Sequence, residues 1–521
     1  MTIMHLVEPN MYQDSVKLMK LSGAVQSISG VVKASVVMGT EMNKSVLSEI
    51  GLLLPEFDGT SANDLIIVVE AEDETAAAKA IAVAAEGLKS HKVAASSPCG
   101  RKSRPKSVSA GAAELPGADL ALISVPGPYA ALEAMKAMNA GLHVHIFSDN
   151  VTLADEVRLK QMGVRKGLLV MGPDCGTAII GGMPLAFANV VAKGPIGIVG
   201  ASGTGIQEAT VLIDHLGSGI SHAIGTGGRD LSNEVGGLMM LSGIDLLEAD
   251  AATKVLLLIS KPPGAETARR ITERVRQCRK PVVLCMIKGE TAGVAAITAA
   301  TIEDAAYKAV ALANDEEPAS MPANYWSDYR QQAGGLVTQL KPCQKYLRGL
   351  FTGGTLADEA MVLAVQALGP IFSNIPLKPE WRIGAGGESS AHTVIDLGDD
   401  EFTRGRPHPM IDPTPRNERI VKEFADAGTA VILCDVVTGF GSHPDPAGEL
   451  AGAVRKARAA YPQNNPVVIA FVCGTDADPQ PLNKQTKILE QEEIHVLPSN
   501  ALAARVAVEI IRLQALKGGV S

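Results

Sequence analysis

The chain has 521 residues, 46% hydrophobic and 20% charged, with a formal net charge of −9. That length exceeds one ordinary core and predicts three or four domains. The acidic balance, with a pI near 5.7, argues against nucleic acid or an anionic membrane surface as partner, because both are bound through an excess of Lys and Arg.

In chain order, strands are expected near His5 to Glu8, Val31 to Met38 and Leu65 to Glu70, with helices between and after them, giving a small α/β module over 1–98. The Ser/Pro/Gly-rich stretch Ser96 to Gly117, with its RKSRPK cluster, reads as a solvated linker. A Rossmann-like half over 112–190 holds LALISVP, HVHIFSD and LLVMGPD, each beside a helical window. A third unit, 191–330, opens on GPIGIVGASGTG, with a strand at Pro195 to Gly200 and a helix at Gln207 to Leu212. Asn314 to Lys341 marks a boundary, and the last unit, 331–521, carries FTGGTLADE, TVIDLGDDEF and AVILCDVVTGFG. The alternation predicts a multidomain α/β fold with parallel sheets, and 52 glycines with 3% aromatic residues suit tightly turned layers better than a β-sandwich. No apolar run of transmembrane length and no signal-peptide pattern is present, so a cytoplasmic protein is expected. Seven cysteines without a CxxC pair fit a reducing compartment and give no zinc pattern.

The chemistry gathers where strands run into helices. In GASGTGIQE the small residues Ser202, Gly203 and Thr204 lead into a helix whose first N–H groups and positive dipole end suit a phosphate or carboxylate. FTGGTLADE repeats the pattern with Gly353, Gly354 and Thr355. Arg229 in GTGGRD offers a guanidinium for bidentate recognition of an oxyanion, or else a structural tie to Asp230 or Glu234. The proline-stiffened RPHPMIDPTPR presents Arg406, His408, Asp412 and Arg416, with His408 a candidate acid or base oriented by Asp412. His443 is a weaker candidate of that kind. Cys175 has no adjacent base and reads as a buried thiol, and His143 with His145 lacks partners for a metal site. Asp399, Asp400 and Glu401 read as a solvated turn, with Mg²⁺ binding the lesser reading.

VPGPYAALEAMKAMNAGLHVHIFSDNVT, LLVMGPDCGTA and GPIGIVGASGTGIQE with IGTGGRD resemble the alpha subunit of succinyl-CoA synthetase, and the final unit resembles the ligase domain of its beta subunit. MGTEMNK, GPDCGTA, GASGTGIQE, GTGGRDLS, LFTGGTL, IDLGDD and RPHPMIDPT together are similar to the FdrA family over nearly the whole chain. The resemblance implies a Rossmann-like CoA-binding-type domain followed by two flavodoxin-like ligase domains, with one helix N-terminus from each ligase domain aimed at a single phosphate. It implies a subunit of a multisubunit carbamoyltransferase that converts oxalurate and phosphate into oxamate and carbamoyl phosphate, working with companion subunits as an oligomer. Under it Glu208, Arg229 and His408 are the expected catalytic residues, the two Gly/Ser/Thr sets bind phosphate, and Arg406, Asp412 and Asn150 bind substrate. Phosphate or carbamoyl phosphate is the expected ligand, with CoA and Mg²⁺ open as further ligands and no metal site assigned. The chain departs from the synthetases in having no histidine between His222 and His392, where their phosphorylated histidine would fall, and no room for an ATP-grasp unit. The alternatives are an acyl-CoA synthetase that draws its ATP site and histidine from partners, and a scaffold or regulatory subunit.

Overall fold

The computed structural model describes residues 1–11, 13, 15–89, 105–289, 296–318, 325–384, 387–403 and 406–518. Two compact units are distinguished: Met1–Arg104 with Asp400–His408, and Pro105–Asp399 with Pro409–Ser521.

The first unit contains β1 (Thr2–Glu8), α1 (Ser15–Gln26), β2 (Val31–Met38), α2 (Glu41–Glu49), β3 (Leu65–Ala71) and α3 (Glu74–Lys89). Its sheet has the order β1-β3-β2 and is antiparallel throughout. The central strand, LIIVVEA, is apolar on both faces because both are covered. Ile67 and Val69 pack with Leu18, Val36 and Ala80, whereas Ile66 and Val68 pack with Leu47, Leu52 and Phe57.

The second unit opens with α4 (Val108–Glu114), β4 (Leu120–Ile123), α5 (Gly127–Asn139), β5 (His143–Ile146), α6 (Leu153–Lys166) and β6 (Val170–Met171). The strands form a parallel sheet in the order β4-β5-β6. Helix α4 corrects the linker expected through Gly117, whose earlier part lies outside the described residues. Ser107 caps it by accepting the Ala110 N–H at 3.2 Å, and the alanines that follow favour helix.

A seven-stranded sheet follows, built from β7 (Thr177–Ile180), β8 (Met183–Ala186), β9 (Lys193–Gly200), α7 (Gly203–His215), β10 (Ile220–Gly225), α8 (Leu238–Ala249), β11 (Val255–Ser260), α9 (Ala265–Arg276), β12 (Val282–Met286), β13 (Ile297–Ala299) and α10 (Ile302–Ala313). Its order is β13-β12-β11-β9-β10-β7-β8, parallel except for the β7–β8 hairpin and its pairing to β10. Gly181 and Gly182, both at positive φ, make that hairpin's two-residue turn. Across the expected boundary at Asn314 to Lys341, α11 (Tyr325–Leu336) is anchored by an Arg330–Glu509 ion pair at 2.9 Å.

The last sheet and its helices are β14 (Tyr346–Phe351), α12 (Gly354–Leu368), β15 (Thr393–Asp396), α14 (Thr414–Ala425), β16 (Thr429–Val437), α15 (Pro446–Ala460), β17 (Val467–Cys473), α16 (Leu482–Gln491), β18 (His495–Leu497) and α17 (Asn500–Gly518), while the short α13 (Asp400–Thr403), between β15 and α14 in sequence, belongs to the first unit. It is wholly parallel, ordered β15-β14-β16-β17-β18, and TAVILCDVV of β16 is buried along its length, as a strand covered on both faces must be. One apolar cluster runs through both large sheets, from Ile196 and Ile198 through Leu356 and Met361 to Val431 and Ile469. Each fully buried aliphatic side chain there contributes about 1.5–3 kcal/mol.

Candidate functional site

Strands β9 and β14 both end in runs of small residues, and the helices that follow meet head to head. Ser202 caps α7 by accepting the Gly205 N–H at 3.0 Å, and its hydroxyl donates to Thr355 Oγ1 of α12 at 2.6 Å. The turns interlock so closely that side chains are excluded. A Cβ on Gly353 would lie 2.6 Å from Thr204 Oγ1, and one on Gly205 would lie 2.7 Å from Ser202 Oγ. Ser202, Gly203, Thr204, Gly353, Gly354 and Thr355 therefore share one junction, toward which two positive helix ends converge. Asp435, at the carboxyl end of the neighbouring β16, fixes the α12 entrance by accepting the Thr352 N–H at 2.8 Å and the Gly353 N–H at 3.0 Å. Burial raises its carboxyl, opposed by Arg416 and these amides.

In front of Ser202 and Gly203 lies a small cleft open to solvent, walled by Asp174 to Thr177 and by residues of the Gly225 to Gly228 turn. Thr177 is 1% exposed, and its Oγ1 has no hydrogen-bond partner among the described residues. Leaving such a hydroxyl unpaired costs about 1–3 kcal/mol. The Cys175 thiol faces the Thr177 and Gly225 carbonyls at 3.4 Å each, and burial pushes it up to about 12, so it is a neutral thiol near pH 7. His145 Nε2 lies 2.8 Å from the Cys175 carbonyl, and His143 Nδ1 accepts the Leu169 N–H, so both imidazoles have structural duties.

The GTGGRD turn is held by buried charge. Lys160 Nζ donates to Glu156 Oε1 and the Thr226 carbonyl, each at 2.8 Å, and to Asp230 Oδ1 at 3.0 Å. Arg229 pairs with Glu156 at 2.9 Å and donates to the Val151 carbonyl, a structural tie made to neither Asp230 nor Glu234, the partners of the alternative reading. Its side chain remains 47% exposed. Asn150, next to that carbonyl, is exposed at φ 52° beyond β5.

Glu208 and Glu359 occupy the same place, the sixth residue, of α7 and α12. Glu208 does not reach toward Arg229. Its Oε1 accepts the Asn500 N–H at 2.9 Å at the start of α17. Glu359 accepts the Ile302 N–H and Asn500 Nδ2, each at 2.7 Å. Burial, joined by repulsion from Glu359, holds the Glu208 carboxyl well above the usual range, and burial lifts Glu359 to about 7.

Two lysines that sequence reasoning passed over stand beside the α12 entrance. Lys261, just after β11, pairs with Asp358 at 3.1 Å, and Lys288, just after β12, pairs with the same carboxylate. Asp396, at the end of β15, closes the group: a Cβ on Gly354 would lie 2.4 Å from its Oδ2. Burial lifts Asp396 from 3.8 to about 7, against the pull of Lys261. The folded state thus holds that proton more tightly than the unfolded chain, so its stabilising effect is complete below about pH 4 and fades as pH rises through about 7. Asp396→Asn is expected to flatten that part of the decline; unfolding midpoints measured from pH 5 to 8 should diverge from wild type, and parallel profiles would count against it.

In RPHPMIDPTPR, Arg406 is exposed, and burial pushes the His408 imidazole down to about 4, so it is neutral at pH 7. Asp412 Oδ1 accepts the Thr414 N–H and hydroxyl ahead of α14. Arg416 is buried and donates to the Asp435 carbonyl at 2.6 Å, which links this loop to the α12 entrance.

Residues 350–510 match the CoA-ligase family, residues 191–289 the CoA binding domain family, and residues 1–105 the family described as AllF, heavy metal-associated domain. The chain is 43% identical to the uncharacterized protein YahF of Escherichia coli K12 over 98% of its own length and 99% of that protein's. The chain belongs to the YahF family. It is also 32% identical to the malate–CoA ligase subunit alpha of Methylorubrum extorquens, over 38% of this chain and 70% of that one. With the succinate–CoA ligase subunit alpha of Aquifex aeolicus the identity is 30%, over 34% of this chain and 58% of that one. The YahF family thus falls in the succinyl-CoA synthetase-like superfamily of acid–thiol ligases, and its CoA-binding match begins at 191, in the sheet that carries α7.

The N-terminal family's description carries a metal, but among the described residues no group of three or more His, Cys, Asp or Glu could hold one. None of the described helices is long and apolar enough to cross a membrane. The signal that could have found Lys261 and Lys288 was their position, since both follow the carboxyl ends of parallel strands, where ligands of open α/β sheets collect. Thr177 carried no such signal, because it starts a strand and its isolation is visible only in three dimensions.

Proposed function

We propose that this YahF-family chain is a phosphate-handling subunit of a CoA-ligase-type enzyme, in which inorganic phosphate is the acceptor of the acyl group and no phosphohistidine forms on this chain. The observation that carries this reading is the 2.6 Å contact between Ser202 and Thr355, which joins two helix N-termini in a chain with no histidine between 222 and 392. Phosphate at that junction attacks the carbonyl carbon of an acyl-CoA. The new C–O bond forms as the C–S bond breaks, and the phosphate proton leaves with the CoA sulfur, giving acyl phosphate and free CoA. Donors fixed before the reaction stabilise the oxyanion and the phosphoryl charge without reorganising. The CoA-binding and CoA-ligase matches support thioester as the donor, and the alpha-subunit relatives support companion subunits.

A second reading keeps the site and changes the leaving group. The FdrA-like motif set favours an N-carbamoyl donor such as oxalurate, whose C–N bond breaks while the phosphate proton passes to the oxamate nitrogen and carbamoyl phosphate forms. Isolating the native assembly and assaying phosphate-dependent acyl phosphate from acyl-CoA beside carbamoyl phosphate from oxalurate separates the two. Turnover that needed ATP and left a phosphohistidine on a partner would overturn both.

A further inference from the structure

Thr177 lines the cleft, and its buried hydroxyl lacks a hydrogen-bond partner among the described residues. A Cβ on Gly203 would lie 3.4 Å from its Oγ1, so the oxygen looks across the opening at the first residue of α7. The walls around it are mostly glycine: Gly176, Gly203, Gly225 and Gly227 bring backbone rather than side chains to the space. The cleft is far smaller than the ~300–1,000 Å³ usual for larger organic ligands and leaves room only for a small group. The carboxylate on this wall is Asp174, which is exposed.

We propose that this cleft is a subsite selective for hydrogen phosphate, in which Thr177 Oγ1 donates to one oxygen, the first amides of α7 serve others, and Asp174 accepts the acidic P–O–H. A carboxylate on the wall repels a fully ionised oxyanion but accepts from one that keeps a proton. Sulfate has no such proton at neutral pH. The phosphoryl end of an acyl phosphate also lacks it once ionised, so Asp174 favours free phosphate over the phosphorylated product and helps that product leave. The inference rests on reading the α7 N-terminus as a phosphate site, and it names the residues that make the site selective.

Equilibrium dialysis of the native assembly against radiolabelled inorganic phosphate, with sulfate and acetyl phosphate as competitors at pH 7, tests it. Wild type is expected to bind phosphate and to be displaced poorly by either competitor. Thr177→Val, which keeps the side-chain shape, should weaken phosphate binding about tenfold or more, the usual effect of losing a hydrogen bond to a charged group. Thr177→Ser should restore it. Asp174→Asn, whose side chain tolerates the φ of 55° found there, should let sulfate compete on nearly equal terms. Phosphate binding lost in Ser202→Ala but unchanged in Thr177→Val overturns this inference and leaves the proposed function standing, as does a wild-type site that takes sulfate as readily as phosphate. An assembly that binds no phosphate overturns the proposed function itself.

Discussion

Lys160→Met is expected to destabilise the second unit by about 3–5 kcal/mol, the usual result of removing one partner from a buried ion cluster. Lys160, Glu156 and Asp230 are all shut off from solvent, and Lys160 supplies three of the contacts that bind them. Without it, Arg229 still pairs with Glu156, and Asp230 is left as an uncompensated buried negative charge. Asp230 also accepts the Met239 and Met240 N–H groups, so the loss reaches the start of α8 as well as the Gly225 to Gly228 wall of the cleft. Chemical denaturation of variant and wild type measures the effect. Adding Asp230→Asn to Lys160→Met should recover part of it by removing the stranded charge, and a double variant no better than the single would refute the charge argument.

The largest effect on turnover is expected from Ser202. Ser202→Ala removes the link to Thr355 and the cap on α7 together. Loss of the cap costs about 1 kcal/mol, which leaves the fold intact, whereas releasing the Thr355 hydroxyl, which Ser202 holds in place as a donor to the reacting oxyanion, lowers kcat by about 10²–10³. Thr355→Val separates these contributions because it leaves the Ser202–Gly205 cap in place. Thr355→Ser should retain most activity. Steady-state kinetics on the native assembly, run beside a thermal melt of each variant, is the check. Retention of wild-type kcat in both Ser202→Ala and Thr355→Val would remove the junction from the chemistry.

Much of this junction was legible in the sequence because glycine and hydroxyl residues between an apolar strand and a helix mark a tight turn that bares the first N–H groups of that helix. GASGTG and FTGGT each announce a helix entrance, and their resemblance to one another, with the relation to the synthetases, implied that they would meet. What the sequence left hidden depends on distance across the fold. The sequence gives Glu208 no visible partner, yet its Oε1 accepts the Asn500 N–H, 292 residues away, while its Oε2 has no hydrogen-bond partner among the described residues. Arg229 likewise has acidic neighbours in sequence but takes Glu156 from α6, which only the packing of that helix beside the GTGGRD turn brings into reach. In RPHPMIDPTPR nothing in the pattern signalled that Arg416 points inward to brace Asp435. Such pairings arise from side chains that must find partners once buried, and no local pattern encodes which partner lies opposite.

The continuous apolar cluster beneath the two large sheets has a consequence for assembly. Two helices on separate polypeptides would meet by mass action and part on dilution. Here α7 and α12 are parts of one chain, about 150 residues apart, and share a core through Ile206, Ala209, Leu356 and Ala360. Their encounter is intramolecular, at an effective concentration fixed by the covalent connection rather than by abundance. Every folded chain therefore carries its own junction.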